Sequence, residues 1–304
     1  MNDSRISASV SSLIIAYGAY KIGYSAALFP ALDKCMSNIT EFIQQRLVNC
    51  YDDIAQHAMN DRYILYQISK SPYSIKPSFV KYWIKTNKNL NTLILREENN
   101  TEVISDAKMF TANKNLYKAK GLIYKRVYYL YGMSGTGKTN IPKVLSVQHK
   151  YPIYVVPFRT FSQFGNSGKD AVEAVIDLPY KDAIVLIDEF NLSEDENLSG
   201  YTSLLTYLDG IRELNNVMVF ICTNNLTQHL ESKYNALFRP GRINVMSEFK
   251  ECSIDQCRKL LRLYYEPSEL IDQLTTIRSI SPSYLTDLAT LPLEDVIKKI
   301  TLAN

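Results

Sequence analysis

The stretch YLYGMSGTGKTN, Tyr129 to Asn140, sets three glycines and a lysine into the eight positions Gly132–Thr139, directly behind a run of aromatic and apolar residues. Its spacing is G-x-x-x-x-G-K-[ST], between a predicted strand and a predicted helix, the setting in which this pattern cradles a nucleotide phosphate. Glycines let the loop Gly132, Met133, Ser134, Gly135, Thr136, Gly137 turn sharply enough to aim backbone N–H groups at phosphate oxygens, and the helix N-terminus adds partial positive charge. Lys138 then reaches the terminal phosphates and Thr139 offers a hydroxyl to Mg²⁺. ATP and Mg²⁺ are the expected ligands. Pro142 lies inside the helix that should follow, where it removes a backbone donor, so a local distortion is expected there.

A second stretch strengthens the reading. AIVLIDEF, Ala183 to Phe190, is an apolar strand ending in two acids, which delivers carboxylates to the carboxyl edge of a sheet, where ligands sit. Asp188 is the candidate Mg²⁺ ligand. Glu189 is the candidate for orienting and polarising a water for in-line attack on the γ-phosphate. Either acid alone could be a solvated turn; together with Lys138 they define a hydrolytic site.

Around these motifs the 304 residues carry a formal net charge of +3, too little to mark the whole chain as a nucleic-acid binder. The charge is unevenly spread. Between Arg62 and Arg126 there are 13 Lys and Arg against 4 Asp and Glu, a local +9 that leaves −6 for the rest. Five cysteines, Cys35, Cys50, Cys222, Cys252 and Cys257, form no CxxC pair and suggest neither a disulfide framework nor a zinc site. A reducing intracellular compartment fits. Residues 13–32, LIIAYGAYKIGYSAALFPAL, have the length of a membrane span with Lys21 near the middle. Seven strongly apolar side chains contribute roughly −3.5 kcal/mol against about +3 for a central lysine, so a membrane anchor and an interfacial helix stand level.

Organisation follows from the hydrophobic periods. Residues 1–35 form the apolar N-terminal segment. Residues 36–120 read as a small β-rich unit, with RYILYQI, SFVKYWI, NTLILRE and TEVISDA as strands and ENN as a hairpin turn. From residue 121 to 250 the apolar runs RVYYLYG, PIYVVPF, AIVLIDEF, VMVFICTN and INVMSEF alternate with helical stretches, which argues an α/β fold with a parallel sheet and crossover helices. Residues 251–304 are helical, with Ser253 opening a capping box (SIDQ) and Ser281 an N-cap ahead of Pro282.

At LFRPGR, Leu237 to Arg242, the chain resembles the AAA family of ring ATPases, whose second homology region that segment is similar to. The resemblance implies a P-loop α/β core with a small helical lid, and it extends residue by residue. Lys138 and Thr139 match the phosphate-loop pair, Asp188 and Glu189 the strand-end acids, Asn224 in ICTNN the polar sensor, and Arg239 and Arg242 the arginine fingers. In that family the fingers reach a neighbouring subunit's site, which implies a homo-oligomeric ring of roughly six or seven subunits with heterologous interfaces. A closer resemblance, through SLLTYLDGI, ICTNN and RPGR in that order, is to the mitochondrial inner-membrane chaperones that assemble respiratory complex III by moving a folded iron–sulfur subunit across the membrane. The chain departs from the family where Tyr234 and Asn235 replace the usual Asp-Pro, and where Asn244 stands in place of an acid. Phe161 and Phe164 occupy the loop where unfolding motors carry an aromatic pore grip; packing is the plainer role for both.

The reading is therefore an ATP-hydrolysing ring ATPase that remodels or translocates a protein substrate. The alternative is a nucleic-acid motor built on the basic middle region, with Tyr63, Tyr66, Tyr73, Phe79, Tyr82 and Trp83 stacking on bases. Strand spacing assigns those aromatics to a sheet core instead. A nucleotide-bound scaffold is a third class, which has no use for Glu189.

Overall fold

The computed structural model describes residues 62–69, 78–159, 161, 182–190, 198–209, 214–224 and 235–301, all within the unit Met59–Asn304. The apolar stretch 13–32, Tyr73 and Phe164 lie outside the described residues. No helix among the described residues is long and apolar enough to cross a membrane.

Seven strands form one sheet: β1 (Arg62–Ser69), β2 (Ser78–Lys85), β3 (Lys125–Gly132), β4 (Ile153–Pro157), β5 (Ala183–Asp188), β6 (Val217–Cys222) and β7 (Val245–Phe249), in the order β2-β1-β4-β5-β6-β3-β7. All neighbours pair in parallel except β1 and β2, which form an antiparallel hairpin at one edge. The central strands β5 and β6, AIVLID and VMVFIC, read as near-continuous apolar runs because both of their faces are covered. Along β3 the period of two sends Val127 and Tyr129 into one core and Tyr128 and Leu130 into the other. Val185 and Ile187 of β5 join the first core, while Ile184 and Leu186 join the second. The α/β expectation with a mostly parallel sheet holds.

The middle region differs from the expected β-rich unit. Only its first two strand-like stretches are strands, and they extend the main sheet: Tyr66 stacks on Tyr154 of β4 with centroids 4.6 Å apart, and Phe79 meets the same ring edge-on at 5.2 Å. NTLILRE begins in a turn, where the Asn89 side-chain oxygen accepts the N–H groups of Asn91 and Thr92, and it reaches no strand partner. TEVISDA is helical, within α1 (Glu97–Asn99), a π-helical segment (Asn100–Ser105) and α2 (Asp106–Ala112), with α3 (Lys114–Ala119) following. The buried residues Val103, Ile104, Ala107 and Phe110 explain this, because their spacing is that of a helix face and not of a strand. The anticipated ENN turn is the start of that helical stretch.

Four helices close the chain: α6 (Ile254–Tyr264), α7 (Glu269–Asp272), α8 (Pro282–Leu288) and α9 (Leu293–Ile300), around a core of their own that includes Leu261, Ile271, Leu285, Val296 and Ile300. Two more helices, α4 (Asn140–His149) and α5 (Leu198–Asp209), precede them in sequence and flank the sheet. Ser253 and Ser281 cap α6 and α8 by accepting the N–H groups of Gln256 and Tyr284 at 3.1 and 3.3 Å. The Gln256 side chain donates instead to the Ile94 carbonyl at 3.0 Å, fastening the helical end to the segment before β3.

Candidate nucleotide site

The loop after β3 bends through positive φ at Gly132, Gly135 and Gly137. At Gly132 a side chain is excluded on two counts: φ is +118°, and a Cβ would stand 2.3 Å from the Phe249 carbonyl oxygen of β7. That carbonyl instead accepts the Met133 N–H at 3.0 Å, which pins the loop to the neighbouring strand. Lys138 is buried, and its ammonium donates to the Gly132 and Met133 carbonyls at 2.8 and 2.6 Å. Burial pulls its pKa down, with Cys222 and Asp188 opposing. The ammonium thus sits in the loop's mouth, held by acceptors that a phosphate oxygen can replace.

Pro142 does affect the helix. Because it has no N–H, the Lys138 carbonyl cannot receive the usual i+4 donor; Ile141 donates to it at 3.3 Å and Asn140 donates to Gly137 at 2.9 Å, both i+3 bonds. Regular α4 starts only at Asn140, and Lys138 and Thr139 lie in the tight turn before it. The helix then runs unbroken.

One cavity of about 270 Å³ collects the residues from separate elements. Ser134, Gly135, Thr136, Gly137, Lys138 and Thr139 of the loop, Asp188 and Glu189 from the end of β5, and Asn224 after β6 all line it. Gly132 and Met133 border an adjoining pocket that Asn224 shares. Glu189 takes a left-handed conformation, φ +56°, which costs a non-glycine residue about 1–2 kcal/mol and turns its side chain out of the strand's alternation. Its N–H donates to Asp188 Oδ1 at 3.1 Å. The hydroxyl of Thr139 and the carboxylate of Asp188 suit Mg²⁺, which is held by one or two protein oxygens together with phosphates and water.

Four further residues line the cavity: Asn140, Cys222, Thr223 and Ser283. Cys222 and Thr223 could have been found from their place at a strand end beside Asn224. Ser283 gave no local signal, since it comes from α8, where its N–H donates to the Gly135 carbonyl at 3.0 Å.

Arg239 and Arg242 stand apart from this cavity. Both lie in the turn that passes through Gly241, φ +93°, closed by the Arg242 N–H donating to the Arg239 carbonyl at 3.1 Å. Arg239 is exposed. Arg242 turns inward, donating to the Ala236 carbonyl and standing 3.4 Å from Asp209 of α5. Leu237, fully buried, donates its N–H to the Tyr201 hydroxyl of α5 at 3.1 Å. Asn244, where an acid often stands, serves as an acceptor without charge: its Oδ1 receives the Val127 N–H at 2.8 Å. Phe161 is buried against Phe158 and Tyr207, in the core and not on a pore surface.

A glycine loop, a buried lysine, strand-end acids and a parallel sheet make this a P-loop nucleotide site. Residues 128–251 match the sequence profile of the ATPase family associated with various cellular activities, and the chain therefore carries an AAA ATPase domain. It is similar to the probable mitochondrial chaperone bcs1 of Schizosaccharomyces pombe, 26% identical over 203 residues, covering 64% of this chain and 44% of that protein. The mitochondrial chaperone BCS1 of Homo sapiens is 26% identical over 190 residues, 58% of this chain and 43% of that one. The ATP-dependent zinc metalloprotease FtsH of Lachnoclostridium phytofermentans is 27% identical over 186 residues, 57% of this chain and 32% of that one. The chain spans less than half the length of these relatives.

Proposed function

We propose that this chain hydrolyses ATP as a subunit of a homo-oligomeric ring and uses the energy to remodel or translocate a protein. The observation that carries the reading is the split between its two half-sites: phosphate loop, Asp188, Glu189 and Asn224 share one cavity, whereas the exposed Arg239 sits on a separate turn. The first half binds and attacks; the second is free to act on another copy.

In this reading the loop N–H groups and Lys138 hold the phosphate chain and offset its charge. Thr139 and Asp188 would hold Mg²⁺, which would supply charge neutralisation to the phosphate chain. Glu189 accepts a hydrogen bond from a water and orients it in line with the scissile bond, while Asn224 holds the same water or the γ-phosphate from the next strand. Arg239 of a neighbouring copy neutralises charge as it develops, an interaction that closes only in a ring.

The relatives named as chaperones and a protease act on proteins, which supports a protein substrate and not a nucleic acid. If residues 13–32 act as the anchor that their length allows, the ring is held at a membrane; as an interfacial helix they hold it at the surface. The division into a large ATPase part, residues 121–250, and a helical lid, residues 251–304, belongs to the same proposal. Mg²⁺-dependent phosphate release tests the chemistry: the unaltered chain should turn ATP over, and Glu189→Gln should bind ATP without turnover. Turnover within a few fold in that variant would reassign the water-orienting role.

A further inference from the structure

We propose that Lys88, from the segment that follows β2 and lies outside the AAA match, is a second phosphate-binding lysine of the nucleotide site. The Lys88 ammonium donates to the Asn140 side-chain oxygen at 3.0 Å, and Asn140 lines the cavity that holds Lys138, Asp188 and Glu189. Lys143 stands one helical turn beyond Asn140 on α4, so two cations flank one amide at the edge of an anion site. No carboxylate among the described residues pairs with either lysine. An arrangement of two like charges without a counter-ion is unfavourable in isolation and is relieved by an anion, and the anion this cavity takes is a phosphate chain. The direction of the Lys88 pKa agrees: burial and then Lys143 hold it down, the state of an ammonium awaiting an opposite charge.

The segment is placed to do this. The Asn89 turn fixes the backbone one residue beyond Lys88 through bonds to Asn91 and Thr92. Leu95 then meets the phosphate loop, 3.8 Å from where a Cβ on Gly137 would stand. Lys88 is thereby held beside Asn140, the first residue of α4, at the edge of the cavity that Lys138 lines. A consequence is that nucleotide affinity depends on the region before the AAA domain, through which that region can answer to nucleotide state.

This inference rests on the ATP-binding reading, and the experiment separates the two. Binding of ATP, ADP and adenosine to the full chain is measured by calorimetry, for the unaltered protein and for Lys88→Ala, Lys88→Arg and Lys138→Ala, with thermal melts to verify folding. Lys88→Ala should weaken ATP and ADP about tenfold, as expected for loss of one charge-assisted contact, and leave adenosine unchanged. Lys88→Arg should stay within about threefold of the unaltered chain. If Lys138→Ala loses ATP but Lys88→Ala binds ATP and ADP normally, the inference falls and the functional reading stands. If Lys88→Ala weakens adenosine as much as ATP, Lys88 is a wall of the base pocket and the inference also falls. Failure of the unaltered chain to bind ATP overturns both.

Discussion

The phosphate loop and the RPGR turn are both short, glycine-containing and polar, yet the fold treats them differently. The loop's groups converge inward on one cavity, with Lys138 buried and Glu189 turned toward it by a left-handed backbone. The RPGR turn diverges: Arg242 and Leu237 fasten it to α5, and Arg239 is left in solvent. In the proposed ring, the convergent half-site would bind nucleotide within one chain and the divergent one would be offered to another copy. The two arginines are also unlike each other, Arg242 an anchor within its own chain and Arg239 exposed.

The largest effect that would break this contrast is loss of the convergent half. Lys138→Ala should weaken ATP by on the order of a hundredfold or more, because among the described residues Lys138 is the cation that lines the cavity itself, whereas Lys88 touches only its rim through Asn140. Equilibrium binding of a fluorescent ATP analogue checks it. On the divergent side, Arg239→Ala should lower kcat by about a thousandfold with ATP affinity nearly unchanged, as expected of a group that acts only on developing charge. A rise in KM with kcat intact would place Arg239 in binding and blur the distinction.

Arg242→Ala sharpens the comparison within the turn. It leaves the Ala236 carbonyl and Asp209 without their partner, and should cost about 1–3 kcal/mol of stability, seen as a lower midpoint in denaturant titration. The smallest effect belongs to a network that lines neither the nucleotide cavity nor the RPGR turn. Asn99, buried, donates to the Ser247 hydroxyl and the Glu248 carbonyl, both at 2.8 Å, and Ser247 in turn donates to Glu102 at 2.6 Å. Asn99→Ala should remove about 1–2 kcal/mol, a fall in Tm of roughly 2–8 °C, with ATP affinity unaltered.

Much of the convergent half was legible in the sequence because it is built from local rules. A phosphate loop needs glycines at fixed spacing, and an apolar strand ending in acids delivers them to a sheet's carboxyl edge, so Lys138, Thr139, Asp188 and Glu189 could be named from linear pattern alone. The five strands from β3 to β7 were legible from their short apolar runs, most clearly β5 and β6, which are buried on both faces. The region before β3 was misread where two periods compete. Val103, Ile104, Ala107 and Phe110 carry a helical stripe, but the β-branched residues and the flanking asparagines suggested a strand and turn. Ser283 and Lys88 were not legible as site residues. Ser283 lines the cavity and is tied to the Gly135 carbonyl, and Lys88 is tied to the lining residue Asn140; both links come from tertiary packing, which no local spacing encodes.

The central claim is that a working site combines the convergent half of one subunit with the divergent half of another. Mixing Glu189→Gln chains with Arg239→Ala chains, each inactive alone, tests it most directly by steady-state phosphate release across mixing ratios. The account predicts that activity returns in the mixture, since some interfaces then pair an intact Glu189 with an intact Arg239. No recovery at any ratio, with mixed assemblies verified by differential tagging, would contradict it.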